Sequence, residues 1–309
     1  MIVRWGLDTL GQVAQGDILL VASERWGTLP VAAAERWTEI PSERVDDAAA
    51  LARDCVVAVG GGSAIDLGKA ISARGGAPLV SVPTTYAGAE WTPYYGVRSS
   101  DRRAVGGGAG AHLHAVVYEP ELTLDLPRDV TVGTSMNALA HCAEALYVQG
   151  HNAGADEHAL AGARLIGKWL PRVVDAPRDL EARTELLRGA CHAGQALGGS
   201  MLALAHAMAQ AVGGAYGLPH GTVNGIVLPP ALTFNEQFAP DAVRRFRDAL
   251  GRGVEELAAL GGPTRLGELG VPQHDLPRLA AVAADRAGNR ANPREATPDE
   301  IEALLRSVY

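Results

Sequence analysis

The feature that most constrains the fold of this chain is a change of sequence pattern near residue 130. Before that point, short runs rich in valine and isoleucine alternate with segments of helical spacing. After it, the chain is rich in alanine and leucine and is interrupted mainly by glycine and proline. The first pattern predicts an α/β domain of nucleotide-binding type over residues 1–130, with a parallel sheet and helices on both faces. The second predicts an all-helical domain over residues 131–309. The predicted strands are residues 17–23, 55–63, the last part of which is a glycine turn, 77–85 and 114–120.

Capping residues indicate where two of the predicted helices begin. Ser42 is placed to cap a helix over residues 42–54. The C-terminal helix has a stronger signal, because Thr297 can cap it, Pro298 suits its first turn and Glu300 completes a capping box. The glycine-rich residues 102–112 are predicted to form a mobile loop.

Charge and cysteine content narrow the class of protein. The 309 residues carry a net charge of −8, and the 27 lysines and arginines are dispersed, so we expect no nucleic-acid or membrane partner. Cys55, Cys142 and Cys191 lie in apolar surroundings without metal-ligand spacing, which is typical of reduced thiols. The first residues lack a signal-peptide pattern and no apolar run reaches membrane-spanning length, which predicts a cytoplasmic protein.

A glycine turn follows the strand predicted from residue 55. Residues 60–63 read Gly-Gly-Gly-Ser, and such a turn lets the backbone approach a pyrophosphate while the next helix offers unpaired N–H groups. The turn lacks the GxGxxG spacing, so it indicates either phosphate binding or a tight turn without a ligand. Thr84 and Thr85 end the next strand, at the edge where doubly wound sheets bind ligands.

Three histidines and an asparagine form the second candidate site. Asn137 and His141 are four residues apart and therefore share one helix face. His206 lies in another helical segment, and His220 follows Pro219 in a predicted turn. These side chains can hold a divalent metal, or without metal they can bind an oxyanion or relay a proton.

Five motifs in order carry a resemblance to a known family. They are GGGSAIDLGKA, VPTTYAGAEWTPYYGV, MNALAHCAEALY, LAHAMAQAVGGAYGLPHGTVNGIVLP and NPREATPDEI. From about Asp17 onward the chain resembles the iron-containing alcohol dehydrogenase superfamily, most closely its maleylacetate reductase branch. The resemblance implies a dehydroquinate synthase-like architecture, with a Rossmann-like domain, a helical domain and an active-site cleft between them. It also implies NAD(P)-dependent hydride transfer.

The resemblance implies a cofactor site in the N-terminal motifs. By that resemblance, the residues that hold the cofactor or lie near it are Gly60, Gly61, Gly62, Ser63, Asp66, Thr84 and Thr85. Ser23, Glu24 and Arg25 follow the first strand, where ribose specificity is usually set. A carboxylate there favours NAD, whereas serine with arginine can accept a 2′-phosphate, so both NAD and NADP stay open.

At two positions the chain departs from the family pattern. Metal-dependent members bind Fe²⁺ or Zn²⁺ through an aspartate and three histidines, and the matching positions here are Asn137, His141, His206 and His220. An asparagine brings no negative charge, so we expect no tightly bound metal. Gln210 stands where the family usually has a second histidine near the nicotinamide, and glutamine cannot relay a proton near neutrality.

We therefore predict an NAD(P)-dependent oxidoreductase, a homodimer, that moves hydride to or from a carbonyl, alcohol or activated alkene of an acidic small molecule. The three histidines would stabilise the developing oxyanion, with Asn137 and Gln210 lining the pocket. One alternative is a biosynthetic dehydrogenase that oxidises a β-hydroxy acid, even a peptide terminus, with loss of CO₂. Another is a lyase that uses NAD transiently, as dehydroquinate synthase does. A non-catalytic binding protein is a further alternative.

Overall fold

The computed structural model describes residues 1–27, 29, 31–100 and 103–309. These residues form two compact units, Met1–Thr123 and Leu124–Tyr309. The contacts divide the chain just before a helix that runs over Arg128–Ala145, and the predicted boundary at residues 130 and 131 lies inside that helix. The assignment of separate roles to the two parts of the chain stays a prediction.

A parallel sheet of six strands is the centre of the first unit. The order across it is β1-β8-β5-β4-β2-β3, and every neighbouring pair is parallel. Strands β6 and β7 pair with each other in an antiparallel ribbon. The strands are β1 (Ile2–Trp5), β2 (Ile18–Ala22), β3 (Glu35–Trp37), β4 (Cys55–Gly60), β5 (Leu79–Pro83), β6 (Tyr95–Arg98), β7 (Ala104–Gly108) and β8 (Leu113–Tyr118).

The two faces of this sheet are covered differently. Helices α1 (Val45–Leu51) and α2 (Gly62–Gly75) cover one face and bury Leu19, Val56 and their neighbours. The other face packs against a 3₁₀ helix, Leu7–Gln12, and the segment around Val31. The predicted helices are therefore present on one face, whereas the helix on the other face is only a short 3₁₀ helix. Coverage of both faces explains why β2, β4 and β5 are buried throughout.

Two local predictions for the first unit are wrong, and some short strands were not predicted. Ser42 does not cap α1, because its hydroxyl accepts from the backbone of Arg44, and α1 begins later at Val45. Residues 104–108 form β7 rather than a loop, because they pair with β6; residue 102 lies outside the described residues. The glycines of β7 fit closely, since a Cβ at Gly108 would lie 2.7 Å from the hydroxyl oxygen of Tyr95. Strands β1 and β3 were not predicted, since they span only four and three residues.

The second unit is all-helical from residue 128 onward, as predicted. Its C-terminal helix begins with the predicted capping box of Thr297 and Glu300. No helix in the described parts of the chain has the length and apolar character needed to span a membrane. The helices are α3 (Arg128–Ala145), α4 (Ala153–Asp175), α5 (Leu180–Gly198), α6 (Leu204–Tyr216), α7 (His220–Glu236), α8 (Pro240–Leu250), α9 (Val254–Ala259), α10 (Leu276–Ala284), α11 (Ala287–Arg290) and α12 (Pro298–Ser307).

Candidate active site

Helices α3, α6 and α7 bring the predicted quartet together. Asn137 and His141 lie on α3, one turn apart, and both are buried. His206 is near the start of α6, and its Nε2 lies 3.2 Å from Oδ1 of Asn137. The rings of His141 and His206 stack with centroids 4.7 Å apart, and the ring of His220 lies 5.6 Å from that of His206. His220 is the first residue of α7 rather than part of a turn.

Asn224 joins this cluster, although the sequence analysis did not identify it. It lies one turn after His220 on α7 and is fully buried. Its amide nitrogen is 2.7 Å from Oδ1 of Asn137 and 3.1 Å from Nε2 of His220. The spacing of four residues from His220 was the sequence signal that could have revealed it, by the same rule that paired Asn137 with His141.

Glu144 is the second residue that the sequence analysis missed. Its carboxylate accepts from the backbone N–H groups of Ala203 and His206, at 2.8 and 3.1 Å, and lies 2.6 Å from Nδ1 of His206. It therefore caps the start of α6 from α3 and holds the imidazole in place. A lone carboxylate within the alanine-rich segment of α3 was the available signal, because an unpaired buried charge is costly.

Burial controls the protonation of His141. Removal from solvent, together with the neighbouring rings of His206 and His220, lowers the pKa of His141 well below its ordinary value. The ring is therefore neutral near neutral pH. Its Nε2 lies 3.5 Å from the amide nitrogen of Asn137, and its Nδ1 has no hydrogen-bond partner among the described residues.

The quartet brings no carboxylate of its own to a divalent metal. Oδ1 of Asn137 already accepts from Asn224, and Glu144, a nearby carboxylate, is used by α6 and His206. In the described part of the chain, no group of three or more His, Cys, Asp or Glu side chains is placed to bind one ion. Asn137 and the three imidazoles bring no negative charge to balance that of a divalent ion in a buried site.

Gln210 lies one turn beyond His206 on α6 and is half-buried. This placement puts it on the same side of α6 as His206. A glutamine at this position can exchange hydrogen bonds with a ligand but cannot accept a proton from it.

The carboxyl edge of the sheet gathers most of the predicted cofactor residues. From β2 the chain continues to β3, toward one edge of the sheet, and from β4 it continues to β5, toward the other edge. The carboxyl ends of the neighbouring strands β2 and β4 therefore flank a topological switch point. Gly60 ends β4 with φ of +146°, and its carbonyl accepts from Thr84 at 3.0 Å. A Cβ at Gly61 would lie 3.0 Å from Thr85 Cγ2, whereas Gly62 has open space around it.

The remaining cofactor candidates differ in their surroundings. Ser63 lies in the first turn of α2, which has no side-chain cap and no acidic residue there, so its N–H groups suit an anion. Ser23 follows β2 at the same edge. Asp66 instead faces Lys69, with its Oδ1 2.9 Å from Nζ, and also accepts from the backbone of Gly96. The structure thus ties Asp66 to the β6–β7 ribbon.

A parallel sheet with a glycine turn and a helical unit with a buried histidine cluster together define a nucleotide-dependent oxidoreductase of two units. The chain belongs to the iron-containing alcohol dehydrogenase family. The model described as "Fe-containing alcohol dehydrogenase family, C-terminal" matches residues 131–309, and that described as "Iron-containing alcohol dehydrogenase" matches residues 31–116. The chain is accordingly an NAD(P)-dependent oxidoreductase, as the sequence analysis predicted.

The similar proteins include several maleylacetate reductases. The chain is 39% identical over 298 residues to that of Burkholderia cepacia, covering 94% of this chain and 84% of its relative. It is 39% identical over 262 residues to maleylacetate reductase 1 of Rhodococcus opacus, covering 83% and 73%. The solved maleylacetate reductase from Rhizobium sp. strain MTP-10005 matches with a TM-score of 0.88 and 32% identity, covering 100% and 95%. The predicted superfamily, branch and fold class are confirmed.

Proposed function

We propose that this oxidoreductase uses NADH or NADPH to reduce the activated alkene of maleylacetate or of a closely related unsaturated keto diacid. The observation that carries the proposal is the cluster of Asn137, His141, His206 and His220, in which Nδ1 of His141 has no partner among the described residues. The similarity to maleylacetate reductases supports this choice of substrate.

The glycine turn is the proposed cofactor site. Gly60, Gly61 and Gly62 leave room for a pyrophosphate, because a side chain at the first two would meet Ala64 and Thr85 and the third faces open space. The first turn of α2 at Ser63 offers N–H groups to it. Thr84, Thr85 and Ser23 contribute hydroxyls at the same edge, while Asp66 pairs with Lys69 and lies near the cofactor site. NAD(P)H, when bound, supplies the hydride.

The histidine cluster stabilises the negative charge that forms on the substrate and supplies the proton. Hydride addition to the alkene carbon β to the ketone breaks the π bond and moves its electron pair onto the ketone oxygen as an enolate. An N–H group of His141 stabilises that charge, while Glu144 and Asn137 hold the ring of His206 beside it. The carbon α to the ketone then gains a proton, which His220, the half-exposed histidine of the cluster, delivers from solvent. Gln210 bonds the substrate without titrating.

The reaction as proposed needs no tightly bound metal ion. The three imidazoles and the Glu144 carboxylate behind His206 supply the polarisation that a cation would otherwise provide. The absence of a carboxylate from the quartet supports this, since Asn137 carries no charge. A homodimer in the cytoplasm, with a small acidic substrate as its partner, completes the proposal.

Steady-state assays test the proposed reaction directly. Purified enzyme is mixed with maleylacetate and either NADH or NADPH, and the oxidation of the cofactor is followed. We expect turnover with at least one cofactor and no release of CO₂. Release of CO₂ from a β-hydroxy acid with NAD(P)H formation would instead establish the decarboxylating dehydrogenase. Turnover without net cofactor change would establish the lyase.

A further inference from the structure

The start of α6 is capped by side chains from distant parts of the chain. Its N-cap residue is Ala203, which has no side-chain oxygen for the free N–H groups of the first turn. Glu144 accepts from the backbone of Ala203 and His206. In addition, Oδ1 of Asn292 accepts from the backbone N–H of Leu204 at 3.4 Å. The helix that carries His206 therefore depends on a carboxylate from α3 and on an amide from the segment before α12.

Asn292 also joins the start of α6 to α7. Its side chain forms a reciprocal pair with that of Asn235, in which the two N···O distances are 3.0 and 2.7 Å. Backbone groups fix the orientation of Asn292, because the N–H of Leu204 can only donate to it and the carbonyl of Arg294, at 2.8 Å, can only accept from it. Both asparagines are fully buried. One side chain thus contacts the first residue of α6 and the last turns of α7.

The motif NPREATPDEI, which begins with Asn292, packs on the same two helices. The guanidinium of Arg294 lies over the ring of Phe234 in α7, 4.7 Å from its centroid. In the short helix α11 before the motif, a Cβ at Gly288 would lie 2.6 Å from the carbonyl oxygen of Ala203. This segment therefore fits closely against the start of α6 at a second point.

Resting on the proposed function, we infer that Asn292 is a positioning residue, which holds the start of α6 against α7 and so keeps His206 beside His220. The two rings lie on these two helices, with their centroids 5.6 Å apart. Asn292 acts through the helices and not on the substrate. Its effect on the rate follows from geometry, because a misplacement of about 1 Å can cost about 100-fold in rate.

Two variants disturb this contact in different ways, and each has a control. Asn292→Ala removes the side-chain bonds to both helices, whereas Gly288→Ala displaces the carbonyl of Ala203 and leaves the amide pair in place. Asn289→Ala is the control for the first, because Asn289 is also buried but its hydrogen bonds go to the end of α10 and to the residue before the cap of α12. Gly214→Ala adds a methyl group to α6 where space is open and is the control for the second.

The contact between Glu144 and His206 provides a measurement that does not depend on turnover. One proton lies between the carboxylate and Nδ1, which are 2.6 Å apart, and a proton in so short a bond resonates far downfield in NMR spectra. His206→Gln assigns this signal by its loss. We expect the signal to shift or to vanish through exchange with water in Asn292→Ala and Gly288→Ala. It should keep its wild-type position in both controls.

Steady-state kinetics then separate positioning from general stability. In Asn292→Ala and Gly288→Ala, kcat with maleylacetate should fall at least about tenfold, while KM for the cofactor stays unchanged. Asn289→Ala should be destabilised toward urea about as much as Asn292→Ala and yet keep the wild-type kcat. An unshifted signal in Asn292→Ala or Gly288→Ala, or an equal change in Asn289→Ala, would overturn the inference. If Asn292→Ala fails to fold, Gly288→Ala decides alone. The NMR signal is measured without substrate, so its failure is distinct from the absence of maleylacetate reduction.

Discussion

The carboxylate of Glu144 lies 2.6 Å from Nδ1 of His206, and neither side chain is accessible to solvent. The same carboxylate accepts from the backbone at the start of α6. One side chain therefore connects α3 to α6 and orients a proposed catalytic ring. Because Glu144 is buried and makes both kinds of contact, loss of its charge should affect both stability and activity.

Glu144→Gln should lower both stability and turnover. The amide of glutamine has one accepting oxygen in place of two. A donor at the start of α6 or the ring of His206 therefore loses its partner. Removing the partner of a buried hydrogen-bond donor typically costs about 1–3 kcal/mol in the free energy of unfolding. Urea unfolding measures this loss. The control Glu181→Gln removes an exposed partner of Arg172 and should change that free energy by less than about 1 kcal/mol. Equal effects of the two variants would contradict the account.

Asn137→Asp should create an affinity for Fe²⁺ or Zn²⁺ that the wild type lacks. The new carboxylate would supply a negative charge that the three imidazoles do not, while Asn224 could still donate to it. Metal analysis after dialysis should find the ion only in the variant. Stoichiometric metal in the wild type, needed for its turnover, would show that our interpretation of the donor set is wrong.

Gly62→Ala should weaken NAD(P)H binding without harming the fold. The added methyl group has open space within the protein, so any loss must come from the ligand that approaches the turn. We expect at least about a tenfold increase in Kd, equivalent to about 1.4 kcal/mol. Gly214→Ala, in α6 and equally unobstructed, is the control and should bind the cofactor normally. Titration by NADH fluorescence measures both.

Alkaline pH should destabilise the protein through Cys55. Burial raises the pKa of this thiol to about 11 from an ordinary value of 9.0. Between these values the unfolded chain has lost the proton and the folded chain retains it, so the free energy of unfolding falls as pH rises. Cys55→Ala should reduce that slope by up to about 1.4 kcal/mol per pH unit. A slope identical to that of the wild type would exclude this role for the thiol.

The sequence predicted the main strands, the helical unit and the quartet because each has a local signal. Periodicity revealed β2, β4 and β5, and the spacing of Asn137 and His141 placed them on one helix face. Glu144 remained unidentified because its partners lie about 60 residues away, at the start of α6. Residues 104–108 look like a loop by composition, and only their pairing with β6 makes them a strand.

His206→Ala and His220→Ala should abolish turnover while NAD(P)H binding persists. Both rings belong to the histidine cluster and neither lies in the glycine turn, so the proposed cofactor site in the first unit should stay intact. Cofactor binding and steady-state turnover are measured on the same preparations. Turnover like that of the wild type in either variant would remove that histidine from the mechanism.

Transfer of deuterium tests the central claim most directly. The enzyme is given maleylacetate and NADH or NADPH that carries deuterium at the transferred position of the nicotinamide, and the product is examined by mass spectrometry. Direct hydride transfer predicts one deuterium bound to carbon in the saturated keto diacid, for each cofactor oxidised. A product without deuterium, or turnover with no oxidised cofactor, would contradict the assignment of this protein as a reductase of this kind.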